Sequence, residues 1–325
     1  METFAPVARL ETIKLMFALA AQKQWKIHQL DVKSAFLNGF LKEEIYIEQS
    51  DGFKVLEEED KVHKLKKALY GLKLAPRAWY DRVDAYLSRL RFEKSLNEPT
   101  LYVKKSEDET LLIVSIYVDD LLVTGSKSDL INDFKNQMQE VFDMTDLGIM
   151  TYFLGMEVNQ SDQATRPDLI HAVSLLSRFM HYCDTTHFKV AKRIPSDWAG
   201  SVNDMKSTSA EAEYIATAAA VNQAIWLKKL LCDLNEEQLE PTEIKVDNQS
   251  IVAIAKNPVF HGKTKHFKIK SHFVREAEQS KEVNLIHCSS QDQLADILTK
   301  PLGTIRFEVL REMIGVCCIQ SNKEC

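Results

Sequence analysis

Leu112-Ile113-Val114-Ser115-Ile116-Tyr117 and Leu121-Leu122-Val123 are two apolar runs separated by Val118-Asp119-Asp120. Continuous and alternating apolar patterning on both sides predicts two buried strands, with the acids at the tight turn between them. Adjacent carboxylates repel each other unless a cation offsets them. Two readings follow. One is a charged turn between buried strands. The other is half of a two-metal site for phosphoryl transfer, which needs another acid from a neighbouring strand.

Asp31 is the candidate for that acid. The chain runs from Ile27-His28-Gln29 into Leu30-Asp31-Val32, a pattern that predicts a strand opening into a turn or helix.

These stretches, taken together, resemble the reverse transcriptase of Ty1/copia-type retrotransposons. The resemblance rests on Tyr117-Val118-Asp119-Asp120 and Leu30-Asp31-Val32-Lys33-Ser34-Ala35-Phe36. It also rests on Thr3-Phe4-Ala5-Pro6-Val7-Ala8, Ala68-Leu69-Tyr70-Gly71-Leu72-Lys73 and Ala75-Pro76-Arg77-Ala78-Trp79. Several ordered motifs agree, and they extend over nearly the whole chain. The resemblance implies an RNA-directed DNA polymerase in which Asp31, Asp119 and Asp120 hold two Mg2+ ions. Its partners would be an RNA or DNA template with primer, and deoxynucleoside triphosphates. Phe36 would pack beneath the incoming sugar, and as a bare pattern it is equally a core aromatic. Lys73 and Arg77 would contact template or triphosphate. Gly155, in Tyr152-Phe153-Leu154-Gly155-Met156-Glu157-Val158, would steady the primer end, although that stretch also reads as a plain core strand. Where the family usually has Gln two places before Pro76, this chain has Leu74.

Composition bounds the rest. The 325 residues suffice for two domains; 45% are hydrophobic and 27% charged, an ordinary balance. A net charge of −6 is unusual for a nucleic-acid enzyme. Local runs offset this: Lys61 to Arg77 and Lys256 to Arg275 each carry six basic residues and no acid, which fits either a phosphate backbone or solvated faces. Six Cys lack disulfide or metal spacing, so an intracellular setting (cytoplasmic particle or nucleus) is expected. His261, His266, His272 and His287 are not spaced as zinc ligands. No secretory leader and no apolar run near 18 residues is seen, so no membrane span is expected.

Along the chain, helices are predicted over 10–21, 78–90, 127–141, 171–180, 188–194 and 306–314. Strands are predicted over 43–49, 100–103, 110–117 and 121–124, and a turn over 144–148. On the 127–141 helix, Leu130, Phe134, Met138 and Val141 are expected inward, and Asp129, Asp133 and Lys135 outward. The fold class that follows is α+β: polymerase fingers and palm with an antiparallel sheet and backing helices, then an incomplete ribonuclease H-like α/β domain. The expected domains are 1–162 (fingers and palm, N-terminally shortened), 163–194 (a helical connector with most of the thumb missing), 195–316 (ribonuclease H-like) and a tail, 317–325. In the third, resemblance points to Glu213, opening a helix through Leu231, to Asp247 after a strand over 243–246, and to Asp296. Pro195 stands where the family has Asp before Ser196-Asp197-Trp198, which leaves Asp197 as a displaced candidate. The sequence also jumps from Lys206 into that helix without further strands. A poorly formed, inactive second domain is therefore expected. The alternatives to an active polymerase are a non-catalytic nucleic-acid binder and a non-functional remnant.

Overall fold

The computed structural model describes residues 3–50, 52, 54–55, 58, 60–105, 111–158, 160, 205–256 and 265–314. The chain divides into two compact units, Met1–Pro167 and Asp168–Cys325. The helices predicted over 171–180 and 188–194, and Asp197, lie outside the described residues.

In the first unit, helix α1 (Leu10–Gln22) precedes strand β1 (His28–Val32) and a 3-10 turn at Ala35–Asn38. A small pair follows, β2 (Tyr46–Ile47) with β3 (His63–Lys64), then helix α2 (Ala75–Arg89). The chain continues through β4 (Glu93–Lys94), β5 (Leu101–Lys105), β6 (Leu111–Tyr117), β7 (Asp120–Gly125), α3 (Ser128–Gln139) and β8 (Met144–Ile149). A short hairpin of β9 (Tyr152–Phe153) and β10 (Met156–Glu157) closes the unit. The main sheet has the order β4-β5-β6-β7-β1-β8, antiparallel at every pairing.

The unbroken apolar runs of β6 and β7 are explained by burial on both faces. Leu112, Val114 and Ile116 of β6, Leu121 and Val123 of β7, and Leu30 and Val32 of β1 meet α2 (Trp79, Val83, Tyr86, Leu87) and α3 (Ile131, Phe134, Met138) in one apolar cluster. Residues alternate across a strand. Gln29, Asp31, Tyr117 and Asp120 therefore belong to the opposite face of the sheet. Gly39 lies where the chain leaving β1 meets α2. A Cβ at Gly39 would sit 2.6 Å from the carbonyl carbon of Ala78, so the two segments touch backbone to backbone.

Five sequence expectations are corrected. The 144–148 segment is not a turn but the edge strand β8, which supplies partners for the outer side of β1. Its turn-like composition reflects a register shift opposite Gln29, where Gly148 takes φ +75°. Lys135 points inward and is 7% exposed; its Nζ donates to Asp146 Oδ2 (3.0 Å) and lies 3.0 Å from His28 Nδ1. Two polar partners make that burial tolerable, while Val141 is exposed and Ile131 fills the core instead. Finally, α2 begins at Ala75 because Pro76 is at home in a first helical turn, and the 43–49 strand shrinks to Tyr46–Ile47.

The second unit contains α4 (Met205–Asp233), β11 (Thr242–Val246), α5 (Gln249–Lys256), α6 (Lys265–Gln279), β12 (Val283–His287), α7 (Asp296–Thr299) and α8 (Thr304–Met313). β11 and β12 run parallel, joined through α5 and α6, as a parallel pair requires. Among the described residues the sheet holds these two strands. Tyr214, Val221, Val246, Ile251, Val274 and Leu285 nonetheless share one buried cluster, more core than a poorly formed domain implies.

Candidate active site

The register of the sheet places Asp31 directly opposite Asp120, across the antiparallel pair β1–β7. Side chains so paired share a face, with Cβ atoms about 5 Å apart. Gln29, two residues earlier on that face, donates from Nε2 to Asp120 Oδ1 at 2.9 Å. Burial raises the Asp120 carboxyl above its ordinary value. The Gln29 hydrogen bond opposes this, and the charges of Asp119 and Asp31 add to it.

Val118 and Asp119 form the two-residue turn between β6 and β7, closed by the Tyr117–Asp120 pair. Val118 adopts φ +56°, the left-handed region that β-branched residues strongly disfavour. Trp79 Nε1–H donates to Val118 O at 2.6 Å, and the Val32 N–H donates to Asp119 O at 2.9 Å. The three acids of the sequence reading thus come from adjoining positions, with Asp119 the most exposed. Among the described residues no group of three or more His, Cys, Asp or Glu side chains is arranged to hold a metal ion by itself.

The other candidates fall into two groups. Phe36 sits in the 3-10 turn after β1, partly buried, its ring 5.1 Å from that of exposed Tyr70. Gly155 (φ +82°) and Leu154 (φ +47°) form the turn of the β9–β10 hairpin, and Phe153 of that hairpin packs edge-on to Tyr117 at 5.6 Å. That stretch is a separate hairpin touching the tyrosine of the acidic motif, not a core strand. Arg77, by contrast, is engaged within the protein: Nε binds Asp81 Oδ1 (2.9 Å), and Nη1 donates to Phe4 O (3.2 Å). The 61–77 run has no acid of its own, but Lys61 pairs with Glu58 and Lys64 with Glu44. Lys66 and Lys73 are exposed. Gln29 and the Trp79 indole escaped the sequence reading. Gln29 was accessible from the two-residue strand period; the Trp79 contact depends on tertiary packing.

In the second unit, Glu213 belongs to α4, and Asp247 follows β11. Asp296 is buried at the start of α7, where Lys300 Nζ (2.7 Å) and Arg306 Nη2 (2.8 Å) bind its carboxylate. Lys300 Nζ also lies 3.9 Å from Asp247 Oδ2. The structure thus brings Asp247 and Asp296 to the same lysine. In the basic run beyond 255, Lys256 pairs with Glu278 (3.4 Å), and Arg275 ties α6 to the Ile254 carbonyl of α5 (3.2 Å).

Among the described residues no helix is long and apolar enough to cross a membrane. The profile of the family described as "Reverse transcriptase (RNA-dependent DNA polymerase)" matches residues 1–192. The chain is 27% identical to a retrovirus-related Pol polyprotein from transposon TNT 1-94 of Nicotiana tabacum, covering 97% of this chain and 33% of that protein. It is 29% identical to the Pol polyprotein from transposon RE2 of Arabidopsis thaliana, over 97% of this chain and 29% of that one. A putative transposon Ty5-1 protein of Saccharomyces cerevisiae is 35% identical over 41% of the chain and 42% of its own length. The chain therefore spans about a third of the two plant relatives. Those alignments extend over 434 and 426 residues, longer than the 325-residue chain, so both relatives carry stretches with no counterpart here. With its acidic motifs side by side on one sheet, this chain belongs to the reverse transcriptase family, in the group of Ty1/copia-type transposon Pol polyproteins.

Proposed function

We propose that the first unit is the fingers and palm of a polymerase that extends a primer on an RNA or DNA template. The observation that carries this reading is the pairing of Asp31 with Asp120, with Asp119 in the adjoining turn. The donor set fits Mg2+: hard carboxylate oxygens, with Asp120 raised by burial and by its acidic neighbours. The lack of an all-protein cage fits as well, because Mg2+ at such sites takes one or two carboxylates and completes its shell with water and substrate phosphates. Asp31, Asp119 and Asp120 would hold two such ions, which when bound neutralise the triphosphate and lower the pKa of the primer 3'-hydroxyl. Gln29 orients Asp120. Phe36 and Tyr70 form an aromatic floor beside the sugar, and the Leu154–Gly155 turn steadies the primer end. Exposed Lys66 and Lys73 attract phosphate; Arg77 acts through its fixed place at the start of α2.

Primer extension by the purified chain on poly(rA)/oligo(dT) with dTTP and Mg2+ tests this. Extension by the wild type, and a loss of about a hundredfold or more in Asp119→Asn, are the expected results. A wild type that does not extend would sink the reading. The stretches present in the relatives and missing here favour a second one: a remnant that binds nucleic acid without extending it, recognised by salt-dependent binding alone. We further propose that residues 195–316 are a degenerate ribonuclease H-like domain. Lys300 and Arg306 on Asp296, and Pro195 in place of an acid, support this.

A further inference from the structure

We propose that Trp79 is a positioning residue, whose indole N–H holds the Val118–Asp119 turn in the conformation that aims Asp119. This rests on the polymerase reading of the first unit and adds a role to a side chain that touches neither substrate nor metal. Val118 is held at φ +56°, which a valine leaves unless its surroundings compel it. The compelling contact is visible. Trp79 is 2% exposed on α2, its ring set edge-on against Phe142 at 5.3 Å, and its Nε1–H meets the Val118 carbonyl at 2.6 Å.

The next peptide is pinned from the other side, where the Val32 N–H of β1 donates to Asp119 O at 2.9 Å. Both carbonyls of the turn are therefore held, one by the helix under the sheet and one by the strand that carries Asp31. Removing the indole donor frees the Val118 peptide to relax toward negative φ. The turn then rotates, Asp119 is re-aimed, and the Val32 bond is lost with it.

The test compares the full chain with Trp79→Phe, which keeps an aromatic ring in the core, and with Tyr86→Phe. The latter removes a part-buried hydrogen bond made by the same helix to a carbonyl outside the turn, Tyr86 OH to Gln137 O at 2.6 Å, while keeping the ring that packs on Phe142. Amide hydrogen exchange at Val32 and steady-state extension are both measured. In Trp79→Phe, Val32 is expected to exchange faster while other β1 amides do not. Its kcat is expected to fall about ten- to a hundredfold with KM for dTTP little changed, and Tyr86→Phe to behave as wild type in both respects. Glycine holds a positive φ without a tie, so Val118→Gly added to Trp79→Phe is expected to restore Val32 protection. Unchanged Val32 exchange in Trp79→Phe, or no restoration by Val118→Gly, overturns the proposal. Exchange is read without substrate, so a chain that cannot extend primers would fail the polymerase reading while this comparison still decides the role of Trp79.

Discussion

Asp120 shows what the acidic cluster costs the folded chain. Its carboxyl titrates above the ordinary 3.8, first because it is buried and then because Asp119 and Asp31 stand near, despite the Gln29 hydrogen bond. A folded-state value raised above the unfolded one means that the native state holds the proton more tightly. The contribution of Asp120 to stability is then largest below 3.8, and is lost as pH rises through the raised value. Asp120→Asn removes the repulsion. At neutral pH without divalent ions it is expected to be more stable than wild type by a few tenths to about 1 kcal/mol, measured by urea unfolding. Added Mg2+ should stabilise the wild type and leave the variant nearly unmoved. A wild type that is more stable than Asp120→Asn in the absence of divalent ions would contradict this account.

At the scale of elements, the edge strand β8 is fastened by Lys135 reaching from α3 to Asp146 and His28. Asp146→Ala leaves that ammonium buried with one neutral partner, and is expected to cost about 2–3 kcal/mol and to speed amide exchange along β8. The wild-type clasp should weaken with acid in two stages. Burial and then the Lys135 charge push His28 below 6.5, against the pull of Asp146; its contribution is full above 6.5 and is lost as pH falls through the lowered value. Burial alone would raise Asp146, but the Gly148 N–H and Lys135 outweigh it, so its contribution is full above 3.8 and lost only at more acid pH. An unfolding free energy flat between pH 7 and 3 would refute the clasp. Little of this was legible in the sequence. Asp146 and Gly148 spell a turn, and a lone lysine on a helix spells an outer face, because tertiary pairing supplies what local pattern lacks. Where local pattern and tertiary role coincide, as in the β6–β7 hairpin, whose two apolar runs flank the acids, patterning was enough. Asp31 opposite Asp120 was reachable only through motif resemblance, since nothing in the spacing of β1 and β7 sets their order in the sheet.

For the whole molecule, the two units are expected to differ in competence. With Lys300 and Arg306 on Asp296, the second unit should not cut the RNA strand of a hybrid, and Asp247→Asn should make no difference. Cleavage by the wild type that disappears in Asp247→Asn would reverse that expectation. In the first unit the strand order has a kinetic corollary. The β6–β7 hairpin closes over two residues, whereas Gln29 and Asp120 are 91 positions apart. Closing so long a loop carries an entropic toll that a hairpin escapes. A chain that has made only its local contacts therefore has the aspartate turn without the facing acid. Affinity for a divalent ion during refolding should accordingly track arrival of the N-terminal strand, not formation of the hairpin.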